Sequence, residues 1–467
     1  MATKATSRPE GRPRAQGSSA ERWWARTQSR VSLPANLIRV NEAAARSRQT
    51  RFTALLHHLD EEALGRAFRR QRRKAAPGVD GMTMEAYEQD LEANLRDLCE
   101  RIHSGRYRPL PVRRTYIAKA DGGQRPLGIL ALEDKIAQGA MAELLSAVYE
   151  ADFLDCSYGF RPARSAHQAL RALHDAVMSE RVRWVLDADI RRFFDSVDHD
   201  WLLRMIEHRI ADPRVLRLIG LWLTAGVLEA GCYAETVEGT PQGAGISPLL
   251  ANIFLHYALD LWAAQWQRRQ ATGRMRLARY ADDFVLTFER RSDAEQMKAA
   301  LAQRLAKFGL HLHEDKTRLI EFGRFAEANR RRRGQGRPET FDFLGFTHYC
   351  GKLRDGRFML QRQTQGKRKI RKLKELRQEM KRRRHEPLRD QQRWLAAVSR
   401  GHYAYYGVTG NSPSLWQFHR QLVKAWLRAL RRRGQRPHLP WQRYRSLLKV
   451  FVLPPPRIVH DWRSKTA

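Results

Sequence analysis

The chain has 467 residues, 42% of them hydrophobic, which is enough for several folded domains with a sizeable core. Lys and Arg outnumber Asp and Glu by 86 to 50, so the formal net charge is +36. Such a charge attracts polyanions, and we expect nucleic acid rather than a membrane surface as the partner, because no apolar run reaches the roughly 20 residues that span a bilayer.

The N-terminal part of the chain changes from a basic segment to helical periodicity. Residues 1–48 carry ten Lys/Arg and three Glu among scattered Pro, Gly and Ser. This composition predicts a basic, mostly disordered arm with a short helix around Glu21–Arg30. Apolar periodicity then predicts a helix from Phe52 to about Arg73 and, after the turn Pro77–Gly81, a second one over about Thr83–Ser104.

Strand-like and amphipathic segments alternate from there to about Gly356. The predicted strands are Arg113–Ala118, Arg183–Ile190, Cys232–Glu238, Arg279–Phe288 and Phe341–Tyr349. The predicted helices include Glu133–Tyr149, Ser165–Ser179, Ile246–Trp266 and Asp293–Phe308. Strands that are interrupted by helices without regular βαβ repetition indicate an α+β fold.

Two adjacent carboxylates, Asp282 and Asp283, interrupt the strand-forming run Arg279–Phe288. At a hairpin turn they would lie exposed at one end of a sheet, where hard oxygen ligands can reach Mg²⁺. Phosphodiester synthesis by two metal ions needs carboxylates that converge on an ion pair about 4 Å apart. Asp pairs are also common in turns, so an acidic turn with no metal stays open as an interpretation.

A third carboxylate is available upstream. The segment Trp184–Ile190 has the pattern of a buried strand that ends in acid, and strand alternation places Asp187 and Asp189 on one face. Asp189, at the strand end, is the stronger ligand candidate. Asp198 is predicted to cap the helix that follows.

The last quarter of the chain is basic and helical. Residues 361–390 hold thirteen Lys/Arg against four Asp/Glu, and Ile370, Leu373, Leu376 and Met380 form a sparse apolar stripe at helical spacing. We therefore expect a first domain over residues 49–353 and a separate basic helical domain over residues 354–467.

Eight short motifs occur along the chain in the order Ala76–Gly81, Gln124–Ile129, Tyr158–Pro162, Asp189–Asp195, Gly239–Gly243 with Ile246–Leu250, Tyr280–Asp283, Glu314–Thr317 and Phe343–Phe346. Through these motifs and their order, the chain resembles over about residues 50–350 the bacterial group II intron-encoded proteins, the reverse transcriptase/maturase family.

The resemblance implies a right-hand polymerase, with fingers and palm built on an antiparallel sheet and followed by an α-helical thumb. It also implies that Asp189, Asp282 and Asp283 hold two Mg²⁺ ions, with the Ile190 carbonyl as a further ligand. Phe194 would lie beneath the incoming sugar and favour deoxynucleotides. Simple packing in the palm is the alternative role for Phe194.

Further nucleotide contacts follow from the same resemblance. Lys119 and Arg125 match finger residues that contact the triphosphate, although without the resemblance both would be interpreted as solvated loop charges. Gln242 matches a glutamine that contacts the nucleotide, and Lys316 a basic residue that closes the palm near the carboxylates.

The segment Trp394–Gly407 resembles the maturase-specific domain, called X, which acts as the thumb. Its neighbouring basic helix supplies the predicted RNA contacts Lys367, Arg368, Lys369, Arg371, Lys372 and Lys374. Aromatic residues among the helices either stack on RNA or form the core of a helical bundle, and we favour the core for most of them. They are Trp394, Tyr403, Tyr406, Trp416, Phe418 and Trp426.

Many family members continue into a DNA-binding segment and an HNH-type endonuclease with paired cysteines. The cysteines here form no CxxC pair, so we expect an endonuclease-less form, no zinc site and a reducing compartment. His460 is interpreted as a surface or packing residue.

Taken together, these features predict a cytoplasmic, nucleoid-associated polymerase with no membrane partner. Its expected partners are group II intron RNA, a template RNA with a DNA primer, dNTPs and target DNA. A non-catalytic RNA-binding splicing factor and a domesticated or defence-associated reverse transcriptase remain as alternatives.

Overall fold

The computed structural model describes residues 33–118, 124–179, 181–229, 232–235, 238–239, 245–353, 355–434 and 439–462. The described residues form two compact units. The N-terminal unit takes in residues 33–344 and 352–359, and the C-terminal unit takes in residues 345–351 and 360–462.

The N-terminal unit contains most of the helices and strands. Its helices are α1 (Ala35–Arg46), α2 (Glu61–Arg70), α3 (Met84–Gln89), α4 (Leu91–His103), α5 (Leu132–Tyr149), α6 (Ala166–Ser179), α7 (His199–Glu207), α8 (Pro213–Leu223), α9 (Ser247–Leu255), α10 (Leu261–Arg269), α11 (Arg291–Ala306) and α12 (Ala326–Arg332). Its strands are β1 (Val112–Ala118), β2 (Gln124–Ile129), β3 (Trp184–Asp189), β4 (Val227–Glu229), β5 (Cys232–Ala234), β6 (Met275–Tyr280), β7 (Asp283–Phe288), β8 (Arg318–Glu321) and β9 (Phe341–Phe343).

Helix α1 corrects the expectation of a mostly disordered arm over residues 1–48. Leu37, Val40 and Ala44 lie on one face of this helix and are buried in the main core. The side-chain amide of Asn41 donates to the Ala147 carbonyl of α5 at 2.8 Å. The basic composition of residues 1–48 predicts disorder, whereas the apolar stripe that predicts this helix is short. The helix predicted around Glu21–Arg30 lies outside the described residues.

A side-chain cap determines where a helix begins, and the helix predicted from Phe52 begins later than its apolar periodicity indicates. The helix predicted from Phe52 begins at Glu61, because the Asp60 side chain accepts a hydrogen bond from the Ala63 amide at 2.7 Å. The predicted cap at Asp198 is confirmed, since its carboxylate accepts from the Trp201 amide at 2.7 Å.

Two four-stranded sheets form in the N-terminal unit. One has the order β2–β1–β4–β5, and the other has the order β6–β7–β3–β8. In the second sheet β3 pairs antiparallel with both β7 and β8, and β7 pairs antiparallel with β6. Helix α6 packs beside β6, and α11 packs beside β3 and β7. The first sheet is mixed, since β1 pairs parallel with β4 and antiparallel with β2. These sheets with interspersed helices confirm the predicted α+β class.

Three predicted elements are interrupted. The helix predicted over about Thr83–Ser104 is α3 and α4, which are separated at Asp90. The helix predicted over Ile246–Trp266 is α9 and α10 joined by a π-helical turn, His256–Asp260. The strand predicted over Phe341–Tyr349 is broken after β9, because Leu344 and Gly345 adopt left-handed backbone conformations, with φ of 50° and 82°. Gly345 is the one mark of this break in the sequence, since glycine adopts a left-handed conformation readily.

The C-terminal unit contains strands and four long helices. Its elements are most of β10 (Phe346–Lys352) and most of β11 (Phe358–Thr364), followed by α13 (Gly366–Arg382), α14 (Leu388–Tyr406), α15 (Ser412–Arg431) and α16 (Trp441–Val450). Asn411 joins β11 to the α14–α15 connection, since its side chain accepts from the Thr364 amide at 2.9 Å and donates to the Tyr406 carbonyl at 2.8 Å. In the described parts of both units, no helix is long and apolar enough to cross a bilayer.

We expect α1 to be part of the stable fold rather than a detachable arm. Leu37 is 2% exposed, so Leu37→Ala should lower the free energy of unfolding by about 2–5 kcal/mol through lost contacts and a residual cavity. The neighbouring Ile38 is 43% exposed, and Ile38→Ala should change stability by less than about 0.5 kcal/mol. Guanidinium unfolding of both variants checks this, and equal effects would contradict it.

Candidate active site

Two aspartates from distant parts of the chain face each other at one end of the central sheet. In the antiparallel register of β3 and β7, Asp189 lies opposite Asp283. In the register of β6 and β7, Asp283 also lies opposite Tyr280. Strand pairing therefore brings the predicted third carboxylate next to the predicted pair, although 93 residues of sequence separate Asp189 from Asp282.

The turn between β6 and β7 consists of Ala281 and Asp282. Ala281 has a φ of 57°, a left-handed conformation that costs an L-residue about 1–2 kcal/mol. Gly159 lies directly against this turn, and a Cβ at that position would be 2.4 Å from the Ala281 nitrogen. The glycine of the Tyr158–Pro162 motif is therefore required by the close approach of the two backbones.

Two carboxyl groups in this part of the sheet, those of Asp283 and Asp187, have raised pKa values. Burial, together with the negative charge of Asp282, raises the pKa of Asp283 to about 7, although the Leu344 amide donates to its Oδ2 at 3.4 Å and partly opposes the rise. Burial likewise raises the pKa of Asp187 to about 6, against the opposing effect of Arg318, whose guanidinium is 3.4 Å from the Asp187 carboxylate.

One cation already contacts the site. The ammonium group of Lys316 donates to Asp189 Oδ2 at 2.6 Å. Both side chains are partly exposed to solvent, at 60% and 37%, so this ion pair adds little stability. The contact agrees with the placement of Lys316 near the carboxylates that the resemblance implied.

The donor chemistry of the site fits a hard divalent cation. Asp189, Asp282 and Asp283 offer carboxylate oxygens, which are the ligands that Mg²⁺ prefers, and the pKa of Asp283 is raised by burial and then by the charge of Asp282. Among the described residues, however, no three His, Cys, Asp or Glu side chains are gathered closely enough to hold one ion as they stand. For the three aspartates to hold one ion, the Asp189 side chain would have to rotate away from Lys316.

The Ile190 carbonyl accepts neither hydrogen bond of the adjacent β-bridge. Ile190 is paired with Leu312, but the hydrogen bonds of that bridge run from the Arg191 amide to the His311 carbonyl and from the His313 amide to the Asp189 carbonyl, both at 2.8 Å. The Ile190 carbonyl as a metal ligand stays a prediction.

Phe194 lies in a short 3₁₀ turn that follows β3. Its half-buried ring packs edge-on against Phe193, with centroids 5.3 Å apart. Gly239 lies against this turn, since a Cβ there would be 2.8 Å from the Phe194 carbonyl oxygen. The start of the Gly239–Gly243 motif therefore lies beside Phe194. A role in sugar selection stays a prediction.

The other predicted nucleotide contacts are not placed. Lys119 and Gln242 lie outside the described residues, and so does the side chain of Arg125. The backbone of Arg125 pairs with Ile117 in the β1–β2 hairpin.

The predicted RNA contacts lie on α13 and fall into two groups. Lys367, Arg368, Arg371 and Lys374 are exposed, whereas Lys369 and Lys372 are half-buried. The Lys369 ammonium donates to the Gln417 side chain at 2.5 Å. Leu373, Leu376 and Met380 are buried as the apolar stripe predicted, but Ile370 is 68% exposed and does not belong to it.

Most of the aromatic residues of the C-terminal unit belong to its core. Tyr403, Phe418 and Trp426 are buried, and Trp394 and Tyr406 pack partly buried against them. Trp416 is an exception at 46% exposure. The preference for packing over stacking is therefore confirmed for most of these residues.

Two groups that support the turn and Asp283 cannot be identified from the sequence. The Tyr158–Pro162 motif does not indicate that Gly159 packs against the turn. The Phe343–Phe346 motif does not indicate that the Leu344 amide donates to Asp283. The backbone break at Leu344 and Gly345 is the feature that presents this amide.

Comparison with protein families decides which kind of site this is. Residues 117–348 match the family described as reverse transcriptase (RNA-dependent DNA polymerase), and all three aspartates lie within the match. Residues 117–348 therefore form a domain of the reverse transcriptase family. Members of this family generally use divalent metal ions, which agrees with the oxygen donors found here.

Several relatives of this reverse transcriptase are encoded in introns. It is 43% identical over 175 residues to the group II intron-encoded protein LtrA of Lactococcus lactis, which is 37% of this chain and 29% of LtrA. It is 38% identical over 178 residues to a 91 kDa protein in the cob intron of Schizosaccharomyces pombe, 38% of this chain and 21% of that protein.

A further relative is protein YkfC of Escherichia coli, 38% identical over 241 residues, which is 45% of this chain and 62% of YkfC. The chain thus spans less than two thirds of the length of each of these relatives.

The raised pKa of Asp283 predicts a pH dependence of stability in the absence of metal. The unfolded chain ionises this carboxyl near its ordinary pKa of 3.8, whereas the folded chain holds the proton to about pH 7. Asp283 therefore favours folding at low pH, and this contribution is lost as the pH rises from about 4 to about 7.

Guanidinium unfolding in EDTA at pH 5 and at pH 8 measures this effect. Asp187 titrates over an overlapping range, so the comparison is between the wild type and Asp283→Asn. Asp283→Asn should show a smaller loss of stability between the two pH values. Identical losses in the two proteins would contradict the assignment.

Proposed function

We propose that this protein is an RNA-directed DNA polymerase that extends a DNA primer on an RNA template with dNTPs and two Mg²⁺ ions. The observation that carries the proposal is the strand register that places Asp189 opposite Asp283, next to Asp282, inside the segment that matches the reverse transcriptase family. The N-terminal unit would then hold the fingers and palm, and the C-terminal unit the thumb.

In this proposal Asp189, Asp282 and Asp283 hold the ions, with the Ile190 carbonyl as a further ligand. When bound, the ions supply charge neutralisation for the attacking 3′-hydroxyl and for the departing pyrophosphate. Asp283 gives up its proton to become a ligand, so divalent-ion affinity should fall as the pH drops below about 7.

Lys316 has two roles in the proposal. It pairs with Asp189 through the 2.6 Å contact, and it would be available to contact the phosphates if Asp189 held an ion instead. Lys119, Arg125 and Gln242 would contact the nucleotide, and the half-buried ring of Phe194 would exclude a 2′-hydroxyl.

We further propose that the protein binds a group II intron RNA, assists its splicing and copies it into target DNA during retrohoming. The support is the similarity to a group II intron-encoded protein and the exposed cations of α13. The protein would then act in the cytoplasm near the nucleoid.

A non-catalytic RNA-binding splicing factor is the second candidate. The observation that favours it is that the carboxylates are not gathered around a single point, with Lys316 paired to Asp189. Catalysis by the wild type is the property that separates the two candidates.

Primer extension on an RNA template tests the polymerase proposal. The wild type should extend a DNA primer in Mg²⁺, and Asp282→Ala should lower the rate about 1,000-fold or more, since loss of a metal ligand removes several kcal/mol of transition-state stabilisation. Asp200→Ala, which changes an exposed first-turn acid of α7, is the matched control. No extension by the wild type would favour the non-catalytic candidate.

Binding and splicing assays with the intron RNA test the role of α13. The triple variant Lys367→Ala, Arg371→Ala, Lys374→Ala should bind RNA more weakly, with a log–log salt slope shallower by about 2–3, because each cation releases roughly one counterion. It should also lose the wild type's acceleration of splicing at low Mg²⁺.

The matched control removes the same charge from exposed arginines of the N-terminal unit. It combines Arg96→Ala, Arg106→Ala and Arg291→Ala, whose side chains are 68%, 63% and 67% exposed. A control that weakens binding as much as the α13 variant would contradict the assignment of α13. A splicing rate that the wild type leaves unchanged would remove the splicing role.

A further inference from the structure

A fully buried arginine lies immediately behind the turn that carries Asp282 and Asp283. Arg279 is the second-last residue of β6, and its side chain is 0% exposed. Its Nε donates to Asp260 Oδ1 at 2.8 Å, and one terminal nitrogen donates to Asp260 Oδ2 at 2.5 Å. This two-pronged contact fixes the plane of the guanidinium group.

The remaining donors of this guanidinium hold the turn and its neighbours. One terminal nitrogen donates to the Ala281 carbonyl and to Asn252 Oδ1, each at 3.0 Å. The other terminal nitrogen also donates to Ser157 Oγ at 2.8 Å. A single side chain therefore contacts the turn, helix α9 and the segment before Gly159.

The same segment is tied to Arg279 through its backbone. The Arg279 amide donates to the Cys156 carbonyl at 2.8 Å, and the Tyr158 amide donates to the Arg279 carbonyl at 2.9 Å. Asn252 closes the network, since its side-chain amide donates to the Gly159 carbonyl at 2.7 Å. Gly159 in turn leaves no space for a side chain against the Ala281 nitrogen.

Asp260, the partner of Arg279, ends the π-helical turn between α9 and α10. Such turns are rare and widen a helix locally by one residue, and they are frequent at functional sites. Because Asn252 on α9 and Asp260 on the π turn both contact Arg279, the widened turn belongs to the same network.

The Arg279 network is better explained by a role in fixing the position of the turn than by a contribution to the free energy of folding. Replacing a buried ion pair with apolar side chains is often neutral or stabilising, whereas apolar groups could not bond the Ala281 carbonyl. The Arg279 guanidinium bonds the turn itself at the Ala281 carbonyl, and its other partners are Asp260, Asn252 and Ser157.

We propose that Arg279 is a positioning residue for the polymerase reaction, and this rests on the function proposed above. Its guanidinium, oriented by Asp260, fixes the Ala281 carbonyl in the left-handed turn and thereby the direction in which Asp282 and Asp283 present their carboxylates. Asn252 and Ser157 hold the guanidinium and the Gly159 backbone in register with the turn.

The test compares two conservative substitutions at buried arginines. Arg279→Lys keeps a positive charge near Asp260 but cannot bond Asp260, Ser157, Asn252 and Ala281 together. Arg209→Lys is the matched control. Arg209 is 1% exposed, is paired with Asp152 at 3.2 Å, and donates to the Ala44 carbonyl of α1 instead of the turn.

Three properties of the full-length proteins are measured at a temperature where circular dichroism shows both variants folded. They are kcat and KM in primer extension, Mn²⁺ binding by electron paramagnetic resonance, and amide hydrogen exchange over residues 280–284. Arg279→Lys should lower kcat about 100-fold, as a misplacement of about 1 Å does, with weaker Mn²⁺ binding and faster exchange in the turn. Arg209→Lys should keep the wild-type kcat, Mn²⁺ affinity and turn exchange.

Equal kcat, Mn²⁺ affinity and exchange in the two variants would overturn the proposal for Arg279. A wild type that does not extend primers would refute the polymerase function instead, and Mn²⁺ binding and exchange would still decide whether Arg279 positions the turn. If Arg279→Lys does not fold, Asn252→Ala removes the links to Arg279 and to Gly159 without deleting a charge. It should shift the same three properties in the same direction, and wild-type values for all three would overturn the proposal.

Discussion

The strand register that brings carboxylates together at one end of a sheet is the constraint on which the candidate site depends. Two like charges about 4 Å apart repel by about 4 kcal/mol in the effective dielectric of a protein surface. Strand register forces Asp189 and Asp283 to be neighbours, and Asp282 follows in the turn. Lys316 pairs with Asp189 and Arg318 with Asp187, while burial, and after it the charge of Asp282, raises the pKa of Asp283. Ionising Asp283 in the folded protein therefore costs free energy, which a divalent cation bound there would offset.

Carboxylates can be held in this way only if their backbone is fixed by something other than their own side chains. The turn at Ala281 is left-handed and has no glycine to relieve it, so its conformation is maintained by neighbours. Gly159 supplies space on one side, and the Arg279 guanidinium supplies a donor for the Ala281 carbonyl on the other. A buried polar network is costly unless every member is bonded, and here the ionic pair Arg279–Asp260 is bonded on all sides that face the turn.

The parts of this site that sequence could predict are those in which the signal is local. The hairpin and the strand ending in Asp189 follow from alternation and turn residues, and the predicted cap at Asp198 follows from helix chemistry. The Arg279 network could not be found in this way, because its partners Asp260 and Ser157 are 19 and 122 residues away. The nucleotide roles of Lys119 and Gln242 rest on resemblance alone. Helix α1 has only three buried apolar positions within a basic segment, and at the break after β9 the sequence marks Gly345 but not the left-handed Leu344 before it.

The large positive charge of the chain has two distinct structural uses. Some arginines are fully buried, where they bond carboxylates and carbonyl groups of the protein itself, as Arg209 and Arg279 do. The cations of α13 are instead mostly exposed over a narrow apolar stripe. A buried guanidinium releases no counterions when RNA binds, because it is neither solvated nor free to reach a phosphate. The net charge of +36 therefore overstates the surface available to nucleic acid, and the salt dependence of binding should follow the exposed cations rather than the composition.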